Sequence, residues 1–78
     1  MPSWLVYSRP DCGLCEEMLH ELAELLGPAA KDVGVVDISG DPTLERKYGT
    51  RIPVLTIDGE FVCDYRLNRE RVKGWLEN

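Results

Sequence analysis

Two cysteines, Cys12 and Cys15, are separated by two residues and lie where an apolar run gives way to a helical pattern. The run, residues 3–8 (SWLVYS), is rich in strand-forming side chains and predicts a first strand. Asp11 is a residue type that caps helices, and we expect it to begin the helix that follows. The fold must therefore hold a C-x-x-C pair between a strand and a helix. Such a pair is a metal clip, a structural disulfide or a reversible redox pair.

The helix after the pair has one wide apolar face, which indicates that it packs against a sheet. This face is formed by Cys15, Leu19, Leu22 and Leu26, with Leu14, Met18 and Leu25 beside them. Gly27 and Pro28 end the helix, because a left-handed glycine stops it and proline cannot continue it. Residues 33–38 (VGVVDI) predict a second strand, which we expect to be buried. Asp41 followed by Pro42 predicts the start of a short second helix.

The last third of the chain predicts a hairpin and a final helix. Residues 54–57 and 60–63 are short apolar runs on either side of Asp58 and Gly59, a pair typical of two-residue hairpin turns. Asn68 is placed to cap the last helix. The predicted order is βαβαββα, in which a helix between two strands favours a parallel pair and the hairpin adds antiparallel strands. We therefore predict one α/β domain over residues 1–78, with a four-stranded mixed sheet flanked by three helices.

Composition excludes several classes of function. Seventy-eight residues suffice for one small domain, and the formal net charge of −5 comes without any block of Lys or Arg. Nucleic acid and anionic membrane surfaces are therefore not expected partners. The first ten residues lack the pattern of a signal peptide, and no apolar stretch approaches the ~20 residues that span a bilayer. We expect a soluble, cytoplasmic monomer.

The setting of the cysteine pair favours redox chemistry. Three cysteines are too few for the disulfide framework of a secreted mini-protein. A C-x-x-C that follows the first strand of a βαβ unit and begins a helix is typical of thioredoxin-like redox motifs. Backbone N–H groups and the helix dipole stabilise a thiolate there. We expect Cys12 at the first helical position, exposed and reactive, and Cys15 more buried on the apolar face.

A longer ordered set of residues gives the motif its context. The set is Tyr7-Ser8-Arg9-Pro10-Asp11-Cys12-Gly13-Leu14-Cys15, Asp41-Pro42, Tyr48-Gly49, Arg51-Ile52-Pro53-Val54 and Ile57-Asp58-Gly59. With these residues the chain resembles the glutaredoxins of the thioredoxin superfamily. It is most similar to small bacterial glutaredoxin-like proteins with a C-x-L-C-E motif, and the resemblance covers nearly the whole chain.

The resemblance implies a thioredoxin fold and a thiol–disulfide oxidoreductase. Cys12 would attack a disulfide and Cys15 would resolve the mixed disulfide. The proline matching Pro53 is cis in this superfamily and faces the cysteines, and the backbone of the preceding residue, Ile52, would bind an extended substrate. Arg9 occupies the basic position before the motif. The implied partners are a protein or small-molecule disulfide and a thiol reductant or reductase.

The chain departs from the glutaredoxin pattern after the hairpin. Where relatives have two glycines and an acidic residue that bind glutathione, this chain has Cys63, Asp64 and Arg66. Glycine permits close backbone approach to a ligand, so a side chain at Cys63 should crowd that surface. Asp64 remains a candidate to accept a hydrogen bond from a ligand ammonium group. We expect glutathione to be a poor ligand and a poor sole reductant, and we expect no bound cofactor.

Other functions remain open. A closed zinc site needs four ligands, and beyond the C-x-x-C pair only Cys63 and His20 are available, without ligand spacing. A glutathione-dependent iron–sulfur cluster shared between subunits is a further alternative, since Gly13 stands where many glutaredoxins have a proline. The third alternative is a thioredoxin-like interaction domain without catalysis. Cys63 itself is expected to be a small buried hydrophobe, with a third exchanging thiol as the alternative.

Overall fold

The computed structural model describes residues 3–76. It contains four strands and three α-helices in the order βαβαββα, as the sequence predicts. They are β1 (Trp4–Ser8), α1 (Gly13–Leu26), β2 (Gly34–Asp37), α2 (Pro42–Tyr48), β3 (Val54–Ile57), β4 (Glu60–Asp64) and α3 (Arg69–Leu76). A 3-10 helix, Gly27–Asp32, joins α1 to β2. It was not predicted, and Gly27 with its positive φ of 59° marks the change of direction after α1.

The strands form one mixed sheet in the order β2-β1-β3-β4. β1 pairs in parallel with β2 and antiparallel with β3, and β4 pairs antiparallel with β3. The register places Tyr7 opposite Val54, and Val54 opposite Asp64. The end of β1, the start of β3 and the end of β4 therefore meet at one edge of the sheet. The predicted four-stranded mixed sheet is confirmed.

Each face of the sheet has its own apolar cluster. On one face, side chains of the strands pack against α1 and α3; the fully buried members are Val6, Leu55, Ile57, Met18, Leu22 and Val72. On the other face, Ile38, Tyr48 and Val54 form a smaller cluster with α2. Burial of each large aliphatic side chain contributes about 1.5–3 kcal/mol, so the α1 and α3 face supplies most of the stabilisation. No helix within residues 3–76 has the length and apolar character needed to cross a membrane.

The expectation that the second strand is buried is wrong. β2 is an edge strand whose residues alternate between half-buried and exposed, and Val35 is 54% exposed. The reason is topological, since β2 has β1 as its single neighbour in the sheet. Strand limits also differ slightly from those predicted: β1 begins at Trp4, β2 covers Gly34–Asp37, and β4 extends to Asp64.

Local signals for turns and caps agree with the sequence. Asp58 and Gly59 both have positive φ, 53° and 82°, as a tight hairpin turn between β3 and β4 requires. The Asn68 Oδ1 accepts a hydrogen bond from the Arg71 N–H at 3.1 Å, which caps α3. The Asp41 Oδ1 accepts from the first two free N–H groups of α2, each at 3.1 Å.

Substitution of Asp41 by alanine should lower the free energy of unfolding by about 1 kcal/mol, because two helix N–H groups lose their acceptor. Asp41→Asn keeps an oxygen at the same position and should recover most of the stability. Urea unfolding of the three proteins, followed by circular dichroism, measures both effects. Equal losses for alanine and asparagine would show that the charge of Asp41, rather than the hydrogen bonds, stabilises α2.

Candidate active site

The loop between β1 and α1 positions the cysteine pair. Asp11 has a left-handed backbone, with φ of 57°, and this turn places Cys12 at the N-cap of α1. The Cys15 N–H donates a hydrogen bond to the Cys12 Sγ at 3.3 Å. Two expectations are therefore wrong: Asp11 is not the cap, and Cys12 precedes the first helical residue, Gly13. Because Asp11 forms a left-handed turn, the N-cap is Cys12, one residue later than predicted, and its sulfur accepts the hydrogen bond that a capping oxygen would usually accept.

Cys12 and Cys15 form a disulfide, with their Cα atoms 5.2 Å apart. Cys15 is 3% exposed and lies on the side of α1 that packs against the sheet, whereas Cys12 is partly exposed. The predicted asymmetry between an accessible first sulfur and a buried second sulfur is thus present. The N-cap thus places the Cys12 sulfur against the Cys15 N–H at the positive end of the helix dipole, and both favour a thiolate when the pair is reduced.

The segment before β3 lies at the same sheet edge as this loop. The Ile52–Pro53 peptide bond is cis, and Pro53 is buried. Tyr7 is opposite Val54 in the register, so Pro53, the residue before Val54, lies at the end of β1 from which the motif loop continues. The Tyr65 N–H is shared between two carbonyls, that of Pro53 at 2.8 Å and that of Arg51 at 3.2 Å. These bonds attach the end of β4 to the segment around Pro53.

Three arginines near this edge are each paired with a carboxylate of the chain. The pairs are Arg9–Glu45 at 3.8 Å, Arg51–Asp64 at 2.8 Å and Arg66–Glu17 at 3.9 Å. All six side chains are at least one-third exposed, so each pair contributes at most about 1 kcal/mol to stability. Their effect on the site is electrostatic instead: the positive charge of each arginine is largely compensated. Asp64, which the sequence suggests as a ligand acceptor, is held by Arg51.

Cys63 lies in β4 opposite Leu55 and belongs to the cluster under α1 and α3. It is 5% exposed, which is the placement that a small buried hydrophobe requires. Burial raises the pKa of its thiol above the ordinary value of 9.0. A hydrogen bond with the backbone of Asn68 acts against this rise, the charge of Asp64 adds to it, and the charge of Arg71 opposes it. At neutral pH the thiol is protonated and shielded from solvent.

The donors for a metal site are not brought together. His20 lies on the exposed side of α1, with its Nε2 3.8 Å from a carboxylate oxygen of Glu24. Within residues 3–76, no group of three or more His, Cys, Asp or Glu side chains is arranged to hold a metal ion.

One conspicuous residue of the site was not anticipated from the sequence. Tyr65, directly after β4, has a φ of 66° and is 54% exposed. Left-handed residues are usually glycine or asparagine, so a tyrosine in the sequence carries no signal of this conformation. A bulge in β4, visible as a register shift between Leu55 and Thr56 of β3, was also missed.

Comparison with known proteins agrees with this geometry. Residues 4–77 match the sequence model of the family described as Glutaredoxin-like domain (DUF836). The chain belongs to this glutaredoxin-like family. It is also 26% identical over 77 residues to uncharacterized proteins of Mycobacterium tuberculosis and Mycobacterium bovis, covering 92% of this chain and 79% of theirs.

Solved structures show the same architecture. A protein from Nitrosomonas europaea has a TM-score of 0.84 and 32% identity, over 95% of this chain and 89% of that one. A protein from X. campestris has a TM-score of 0.71 and 30% identity, over 95% of each chain. Oxidized glutaredoxin 2 from Chlamydomonas reinhardtii, 21% identical, has a TM-score of 0.63 over 97% of this chain and 77% of its own, a likeness of fold. The chain is thus a glutaredoxin-like protein with a thioredoxin-type fold.

The raised pKa of Cys63 predicts a loss of stability at alkaline pH. In the unfolded chain the thiol ionises near pH 9.0, whereas in the fold it stays neutral to higher pH. Its contribution is therefore complete below that value and is lost as the pH rises through the folded pKa. As the pH rises from 7 past 9.0, wild type should therefore lose more stability than Cys63→Ala. Urea unfolding of the disulfide-oxidised proteins measures this, and parallel pH profiles would contradict it.

Proposed function

We propose that the protein is a thiol–disulfide oxidoreductase that uses Cys12 and Cys15. The observation that carries the proposal is the pairing of these sulfurs at the N-terminus of α1, with one accessible and one buried, in a glutaredoxin-like fold. Oxidized glutaredoxin 2 from Chlamydomonas reinhardtii shares this fold. A dithiol that can close into a disulfide between an exposed and a buried sulfur is suited to donate two electrons to a substrate disulfide.

The proposed reaction has two exchange steps. The Cys12 thiolate attacks one sulfur of a substrate disulfide, the substrate S–S bond breaks, and the leaving thiolate takes up a proton. A mixed disulfide then joins Cys12 to the substrate. Cys15 loses its proton and attacks the Cys12 sulfur, which releases the second substrate thiol and forms the Cys12–Cys15 disulfide. The substrate gains two electrons and two protons, and a second thiol donor restores the dithiol.

The segment around Pro53 is the proposed docking surface for the substrate chain. Among the described residues, neither backbone polar group of Ile52 has a backbone hydrogen-bond partner, whereas the carbonyls of Arg51 and Pro53 are both taken by Tyr65. An extended polypeptide beside the half-buried Ile52 could bond to both groups, as one strand does to another in a sheet. A reducing compartment such as the cytoplasm would keep the dithiol in its attacking form.

We further propose that glutathione binds weakly. Arg9 is the cation expected to attract a glutathione carboxylate, and Glu45 already lies 3.8 Å from it. Asp64, the expected acceptor for the ligand ammonium, is 2.8 Å from Arg51. A ligand would have to displace both partners, which reduces the net gain from each new contact. A protein disulfide that docks mainly through backbone groups would not meet this obstacle.

Mutation of the two cysteines tests the proposed reaction. Cys12→Ser should reduce insulin disulfides, with dithiothreitol as donor, no faster than the uncatalysed control, because no attacking thiolate remains. Cys15→Ser should accumulate a mixed disulfide with the substrate, seen as an adduct by mass spectrometry, because the resolving thiol is gone. Cys63→Ala is the matched control and should retain activity. If iodoacetamide modifies Cys15 faster than Cys12 in the reduced protein, the assigned roles are wrong.

Removal of the carboxylate beside Arg9 tests the glutathione proposal. Glu45→Gln should lower the KM for glutathione in a coupled assay by about two- to fivefold, because an exposed ion pair is worth at most about 1 kcal/mol. Glu60→Gln makes the same charge change at the hairpin, the opposite end of the sheet, and should leave the KM unchanged. Equal shifts in both variants would show that overall charge, rather than release of Arg9, governs glutathione use.

A further inference from the structure

Tyr65 has a backbone conformation that its side chain disfavours. Its φ is 66°, and the Arg66 N–H donates to the Asp64 carbonyl at 2.6 Å across it. A hydrogen bond that spans a single residue with positive φ defines a rare and strained kind of γ-turn. Glycine would fit this position without a steric penalty. The described fold therefore tolerates a large side chain where the smallest residue would be preferred.

The core does not explain the tyrosine, because the residue is 54% exposed. Its backbone N–H makes the two bonds to the carbonyls of Arg51 and Pro53, and any residue except proline supplies that donor. The Arg66 guanidinium lies over the ring, 5.5 Å from its centroid. Arg66 in turn lies 3.9 Å from Glu17 in the first half of α1. The ring thus lies on the surface, with the Arg66 guanidinium over it, rather than in the core.

This surface position lies at the cysteine pair's edge of the sheet. Val54 is the register partner of both Tyr7 in β1 and Asp64 in β4, so Tyr65 extends β4 past the same edge that the motif loop extends from β1. The Arg66–Glu17 contact links the turn to the helix that begins just after Cys12. A substrate chain lying along Ile52 would pass next to the carbonyls that hold Tyr65.

We propose that Tyr65 is a specificity-determining residue that contacts an apolar or aromatic side chain next to the disulfide of a polypeptide substrate. This inference rests on the proposed disulfide reductase function. Strained conformations persist where surrounding contacts fix them, and they cluster at ligand-contacting positions. A tyrosine side chain has only two rotatable χ angles, so it offers a large apolar area with little loss of side-chain entropy on binding. Arg9, Arg51 and Arg66 each have a carboxylate within 4 Å, so a charged substrate group would compete with Glu45, Asp64 or Glu17 for them, whereas an apolar side chain would not.

The test compares two disulfide-linked synthetic peptides that differ only in having Phe or Gly next to each cysteine. Wild type should reduce the Phe peptide with a KM about two- to tenfold lower, the range expected for an aromatic contact. Tyr65→Gly should abolish this preference, and Tyr65→Phe should keep it. Wild type should also reduce bis(2-hydroxyethyl) disulfide, a small disulfide without neighbouring side chains, which reports the chemistry of the cysteine pair alone.

A stability measurement separates the effect of the Tyr65 ring on substrate preference from the effect of its backbone conformation on folding. Tyr65→Ala retains the conformational penalty and Tyr65→Gly relieves it, so the unfolding equilibrium constant should be at least about twofold higher for alanine. Both variants should lose the peptide preference although their stabilities differ. If the preference survives in Tyr65→Gly, or is absent from wild type, the role assigned to Tyr65 is wrong. If wild type reduces neither peptide nor the small disulfide, the proposed function itself fails, and the inference with it.

Discussion

The pairing of β1 with a strand on each side joins the two halves of the chain. β1 is parallel to β2, which follows α1, and antiparallel to β3, which begins the C-terminal hairpin. Because both strands are hydrogen-bonded to β1, the loop after Ser8 and the segment before Val54 are brought to the same edge of the sheet. Pro53 follows Cys15 by 38 residues in the sequence, and the pairing of the strands with β1 places them in one region.

Helix geometry then gives the two sulfurs different environments. Cys12 is at the N-cap, half outside the helix, where its sulfur accepts from the Cys15 N–H and the residue is partly exposed to solvent. Cys15 lies in the first turn, on the side that continues through Met18 and Leu22 into the core. The same apolar face that anchors α1 to the sheet therefore buries the second sulfur. A strand, a loop with a left-handed residue at Asp11 and an amphipathic helix are together enough to produce one accessible and one buried sulfur.

The sequence was informative wherever a local rule decides the structure. The hairpin at Asp58 and Gly59, the cap at Asp41 and the apolar face of α1 each depend on residues within a few positions of one another, and all three were predicted. The burial of β2 was mispredicted because an apolar run does not reveal whether a strand has one neighbour or two. The cap of α1 was misplaced because aspartate is a preferred N-cap residue type and cysteine is not. The left-handed turn at Asp11 instead places Cys12 at the cap.

Long-range contacts account for the part of the site that the sequence left open. Asp64 is paired with Arg51, 13 residues earlier, and this contact exists only because the hairpin returns β4 alongside β3. The bulge in β4 lets the adjacent residues Val62 and Cys63 both be buried, which strict alternation of a strand would forbid. Sheet geometry thus turns a position that holds glycine in many glutaredoxins into core at Cys63. Two residues further on, the ring of Tyr65 is exposed at the same end of the sheet as the cysteine pair. Under the proposed function, it is this side chain rather than that of Cys63 that a substrate would meet there.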